Sequence, residues 1–136
     1  MVLLDSDTDT AEVTTALVPV ASTEVALTRP DQNPAAVYLA RLTSAASRRT
    51  MRAALEMIAR LVTSEALGAD HCPWSQLRYQ HAAALRAALA ARYSPSSANK
   101  HLSALRGVLR ESWRLGQMTA DDYRRAVEES PANLSA

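Results

Sequence analysis

Ser94-Pro95-Ser96-Ser97-Ala98-Asn99-Lys100-His101-Leu102-Ser103-Ala104-Leu105-Arg106-Gly107-Val108-Leu109-Arg110-Glu111-Ser112-Trp113-Arg114-Leu115-Gly116 is the stretch on which the reading of this chain turns. It opens with a hydroxyl cap followed by proline, the usual start of a helix, and closes on a glycine suited to ending one. At about 100° per residue, Ala98, Leu102, Leu105, Leu109 and Trp113 fall on one arc. Ser96, Asn99, Lys100, Ser103, Arg106, Gly107, Arg110 and Arg114 fall on the other, with Glu111 at its edge. The polar arc carries four cations and no acid. Arginine and lysine neutralise phosphates, arginine chelates guanine edges and asparagine reads adenine. Small residues such as Ser103 and Gly107 let the helix approach a groove closely. An amphipathic helix also needs a polar face for solvent, so this segment alone leaves DNA contact and simple solvation as alternatives.

Outward from it, the same punctuation recurs. Asn33-Pro34 starts a first helix that runs through Val37, Leu39 and Leu42 to about Thr43. Ser47 caps a second, which continues to about Leu67 ahead of Gly68. Its apolar face collects Met51, Ala54, Leu55, Ile58, Leu61 and Val62. After the Gly68–Pro73 loop, Trp74 and Leu77 anchor the entry to a third helix over Arg78–Arg92. The quoted stretch is the fourth, and a short fifth begins at Thr119, with Asp121 and Asp122 at the positive end of its dipole. Ala and Leu dominate, Phe is absent and only three Gly occur in 136 residues. The expected fold is all-α, a compact bundle of four to five helices over residues 33–130. Residues 1–32 form an acidic, flexible arm and residues 131–136 a flexible tail.

Charge is unevenly spread. Residues 1–32 hold six acids and one base, whereas residues 33–116 hold twelve bases against four acids, so a net charge of +1 conceals a basic body. A basic body points to a polyanionic partner, with double-stranded DNA first. The acidic arm could fold back on that body and compete with DNA. The second helix strengthens the case: Ser47-Arg48-Arg49-Thr50 lies at its start, with Arg52 one turn on, and helix starts bind phosphate readily. The candidate DNA contacts are therefore Arg48, Arg49, Thr50, Arg52, Ser96, Asn99, Lys100, Ser103, Arg106 and Arg110.

Other chemistry has little support. His71 and Cys72 are adjacent and His81 is distant, so no metal-ligand spacing exists, and no nucleotide or other cofactor motif is present. His81 and His101 have no evident acid–base partner. Tyr38, Tyr79, Tyr93 and Tyr123 read as packing residues, and no small-molecule substrate is implied. A single cysteine suits a reducing compartment, the cytoplasm. The longest uncharged stretch, Val13–Thr23, is too short to span a bilayer and is interrupted by Pro19, so no membrane partner is expected.

The segment from Asn33 to about Ala126 resembles the SAM-like N-terminal core-binding domain of phage integrases, the tyrosine recombinases. The resemblance rests on Asn33-Pro34-Ala35-Ala36-Val37-Tyr38-Leu39, on Ser47-Arg48-Arg49-Thr50-Met51, and most on Tyr93-Ser94-Pro95-Ser96-Ser97-Ala98-Asn99-Lys100-His101-Leu102-Ser103-Ala104-Leu105-Arg106. In that family a Ser/Thr-x-x-Thr/Ser-x-Asn-Arg/Lys-x-Leu-Ser-Ala-Leu-Arg stretch opens a DNA-facing helix. The resemblance implies a helical clamp on one side of attachment-site DNA during integration and recombination, and other recombinase protomers as partners on that DNA. It implies contacts from Arg48, Thr50, Arg52, Ser96, Asn99, Lys100, Ser103 and Arg106. The chain departs from the family after Gly116, where relatives often carry Asn-Pro and this sequence continues Met118-Thr119-Ala120. The family's catalytic arginines, lysine, histidines and nucleophilic tyrosine belong to a second domain, so no catalysis is expected of this chain alone. Tyr123 lacks a His-x-x-Arg setting and inherits no nucleophile role. A helical oligomerisation module without DNA contact is the competing reading.

Overall fold

The computed structural model describes residues 29–128. The expected arm and tail lie outside them, apart from a 3-10 turn at Pro30–Gln32. Five α-helices follow: α1 (Pro34–Ala40), α2 (Ala45–Val62), α3 (Tyr79–Arg92), α4 (Pro95–Arg114) and α5 (Ala120–Glu128). A second 3-10 turn, Trp74–Gln76, precedes α3. No strand occurs among the described residues, so the fold is all-α as expected.

Helix starts follow local capping chemistry. The Asn33 side chain accepts from the amides of Ala35 (3.0 Å) and Ala36 (3.3 Å), and Pro34 needs no partner there. Ser94 caps α4 by accepting from Ser97 N–H at 3.3 Å. The α3 start uses a ring nitrogen instead, the Arg78 amide donating to His81 Nδ1 at 2.8 Å. At the far end of α4, Gly116 adopts φ +78°. Its amide donates to Trp113 O, and the Gln117 amide reaches back to Ser112 O, a Schellman closure.

Two boundaries differ from the sequence expectation. α2 begins one turn earlier, because Ser44 rather than Ser47 is the cap, accepting from Ser47 N–H at 2.9 Å. Ala45 and Ala46, good helix formers, then fill the added positions. α2 also ends at Val62, not near Leu67. The Thr63 hydroxyl donates to Ala59 O (2.7 Å) and accepts from Leu67 N–H (3.0 Å), folding the next residues into a tight turn. Ser64 and Glu65 take φ of 54° and 72° there, a conformation non-glycine residues adopt at a cost of about 1 kcal/mol each. α1 stops at Ala40 rather than Thr43, its last amides tightening to 3-10 bonds from Arg41 to Tyr38 O and from Leu42 to Leu39 O.

α4 is the central element and packs on α1, α2, α3 and α5. Its Ala98, Leu102, Leu105, Val108 and Leu109 meet Leu55, Ile58 and Val62 of α2 and Leu85 and Leu89 of α3 in one buried cluster. Trp74 and Leu77 plug the α2–α3 loop into it, each 1% exposed, and Trp74 Nε1 donates to Ala69 O at 3.0 Å. Cys72 lies in the same cluster, and burial pushes its thiol above the ordinary range. That removes the thiolate a nucleophile would need. Trp113 is the exception to the apolar arc: it is 40% exposed and stacks on Tyr123 of α5, ring centroids 5.2 Å apart.

Candidate nucleic-acid interface

The expected α4 contacts divide by exposure. Ser96, Lys100, Ser103 and Arg110 form an exposed stripe at helical spacing, continued by Arg114. Asn99 and Arg106 are half-buried flanks of that stripe, and the Arg106 Nε is enclosed without a hydrogen-bond partner. Gly107 is buried rather than facing a groove, a correction to the sequence reading. A Cβ built on Gly107 would lie 2.2 Å from Tyr38 Cε1 and 2.6 Å from Cδ1, so the missing side chain seats the Tyr38 ring of α1. The arc that periodicity reads as one polar face is thus occupied by α1 along one edge.

Residues 45–50, the first turns of α2, are exposed throughout. Arg49 and Thr50 point to solvent. Arg48 is exposed, but its Nη1 donates to Leu42 O at 2.6 Å, fastening the α1–α2 connection. Arg52 pairs with Asp70 at 3.4 Å, both side chains more than half exposed. That pairing lowers the net charge Arg52 adds to a phosphate surface. Because Ser47 is inside the helix, Arg48 and Arg49 stand one turn into it, the Arg48 amide already bonded to Ser44 O, rather than at its start.

α1 contacts both helices that carry these groups. Tyr38 rests on Gly107, and burial raises its phenol above the ordinary value, which the neighbouring Arg110 guanidinium only partly offsets. Three residues on, Arg41 Nε lies 3.4 Å from Glu111 Oε2. Arg114 Nη1 lies 3.4 Å from the same oxygen. One residue further, Leu42 receives Arg48. The contacts therefore run from Arg114 and Arg110 across Arg41 to Arg48. Arg41 was not among the expected site residues. Its position in the first helix's last turn was legible, but its partner lies 70 positions away in sequence, beyond any local pattern.

Among the described residues no three His, Cys, Asp or Glu side chains come together as a metal site. Nor is any helix among them long and apolar enough to cross a membrane. A cleft of about 230 Å³ is lined by Arg78, Gly116, Gln117, Met118, Thr119 and Asp122, and the Arg78–Asp122 ion pair at 3.4 Å balances charge within it. Neither a known protein family, a curated protein nor a solved structure matches the chain.

Proposed function

We propose that this chain is a DNA-binding module, the helical core-binding part of a tyrosine-type site-specific recombinase. The observation that carries the proposal is the exposed, acid-free stripe Ser96-Lys100-Ser103-Arg110 on the most firmly packed helix of the bundle. A rigid helix presenting cations and hydroxyls is what groove entry and phosphate neutralisation require. The exposed side chains of Arg49 and Thr50, one turn into α2, supply a further cation and hydroxyl for phosphate. The family resemblance of the same segments supports recombination-site DNA as the partner, other protomers as neighbours on it, and chemistry supplied outside this chain.

Fluorescence anisotropy with a labelled duplex at several salt concentrations tests the reading. Lys100→Ala should weaken binding and lower the salt slope by about one unit, the effect of one lost phosphate contact. Binding equal to wild type at every salt concentration would remove α4's stripe from the interface. A second reading, a protein-contact module, is favoured by one observation: Trp113, with Tyr123 stacked on it, offers an exposed aromatic surface of the kind protein partners use. It predicts self-association that is lost in Trp113→Ala and indifferent to DNA.

A further inference from the structure

We propose that Arg41 and Arg114, held by the buried carboxylate of Glu111, form a phosphate clamp at the α1–α4 junction, a second contact point at the far end of the stripe that carries Lys100. The inference rests on the DNA-binding reading above and adds the residues that would fix the duplex at a second point. Glu111 is 5% exposed. The guanidiniums of Arg41 and Arg114 approach its Oε2 from two different helix ends, each at 3.4 Å, with side chains 59% and 44% exposed. Two cations on one carboxylate leave a net positive charge, and each planar fork keeps N–H donors for a further acceptor.

As a stabilising device this arrangement is poor. Burying a carboxylate carries a desolvation penalty, and pairing it with half-solvated arginines returns little. As a positioning device it is effective. Glu111 sits on α4 and Arg41 on the end of α1, so their separation is set by the packing of Tyr38 on Gly107 rather than by two free side chains. Arg110, exposed and one residue before Glu111 on α4, adds a further cation to this end of the helix. Phosphate oxygens are matched by fixed forks of this kind more closely than by a mobile point charge. Arg41 and Arg114 are binding residues in this account, and Glu111 is a positioning residue.

The test uses the full chain, a labelled DNA duplex and anisotropy across a salt series, with urea unfolding of each variant alongside. Arg41→Ala and Arg114→Ala should each weaken binding by about threefold to tenfold and lower the salt slope by about one unit. Glu111→Gln is the sharper variant. Removing a negative charge beside a polyanion site should tighten binding if only the summed field matters. Loss of the anchor should weaken it if the carboxylate sets the arginines' geometry. Tighter binding by a folded Glu111→Gln protein overturns the positioning role. If that variant does not fold, the two exposed arginine variants still decide whether the clamp exists. Weakened binding in Lys100→Ala with wild-type affinity in both arginine variants overturns the clamp alone. Wild-type affinity in all three overturns the DNA-binding reading of this surface with it.

Discussion

Gly107→Ala puts the α1–α4 junction to a quantitative test. Alanine in a helix interior is ordinarily favoured over glycine by about 1 kcal/mol. Here its Cβ would stand 2.2, 2.6 and 2.9 Å from three atoms of the Tyr38 ring. Carbon atoms rest at about 3.5 Å or more, so the ring must retreat by about 1.3 Å. A ring is stiff, and three of its atoms are engaged at once, so rotation about a terminal bond does not relieve the overlap. Either the phenol swings out and loses its packing or α1 lifts from α4. Overpacking of this kind costs about 1–3 kcal/mol, which exceeds the helix-propensity gain. The expected net effect is a loss of about 1 kcal/mol, or about 4–8 °C in Tm for a domain of this size.

Urea unfolding of a double-mutant cycle isolates the cause. In a Tyr38→Ala background the obstruction is gone, and Gly107→Ala should then stabilise by about 0.5–1 kcal/mol. The sign reversal is the signature, since additive sites would show the same change in both backgrounds. A Gly107→Ala protein at least as stable as wild type, or an identical change in both backgrounds, would falsify the packing of Tyr38 against α4.

Other positions carry equally specific expectations. Asn33 caps α1 and also donates through Nδ2 to Asp70 O at 2.8 Å; Asn33→Ala should lose about 2 kcal/mol in urea unfolding. Asn33→Asp keeps the cap but turns a donor into an acceptor facing that carbonyl, so it should recover only part of the loss; full recovery would show that the Asp70 bond contributes nothing. Cys72 is an acid with a raised folded-state pKa, so its contribution is complete below the unfolded thiol's value of about 8.5 and is lost as pH rises beyond it, by about 1.4 kcal/mol per pH unit. The stability gap between wild type and Cys72→Ala should therefore close between about pH 8 and pH 10; a gap independent of pH would mean that the thiol titrates alike in both states.

What the sequence made legible here is what depends on neighbours a few positions apart. Asn33-Pro34, Ser94-Pro95 and Gly116 mark helix ends because capping is satisfied within one turn, and the structure uses all three. Ser44 and Ser47 are both competent caps, and the choice fell to Ser44 because two alanines extend the helix at little cost. The end of α2 was hidden for another reason. No glycine or proline stands between Val62 and Gly68, so the stop depends on one hydroxyl, that of Thr63, and on two residues held at positive φ. Periodicity gave the angle of Gly107 and Trp113 about the α4 axis but not what lies beside each. Tyr38 covers the first. Tyr123 stacks on the second, which stays 40% exposed where a core position was expected.

The placement of the candidate site follows from those non-local contacts. A seven-residue helix such as α1 has no stability of its own in water. It is held by Tyr38 on Gly107, by Asn33 on Asp70 O, and by Gln117 Nε2, which donates to Gln32 O at 2.7 Å. Arg41 and the Arg48 tether at Leu42 are carried at its end, so a perturbation of α1 seating should move them without disturbing Lys100 on the opposite half of α4. Gly107→Ala therefore separates two responses at a temperature where the variant is fully folded. If the helix lifts, DNA affinity falls and a further Arg41→Ala change has little left to remove, while Lys100→Ala still weakens binding by its usual factor. If only the phenol swings out, the Arg41 effect persists at its wild-type size. Equal weakening of the Lys100 and Arg41 contributions would contradict both, because it would require α4 itself, packed on four other helices, to have shifted.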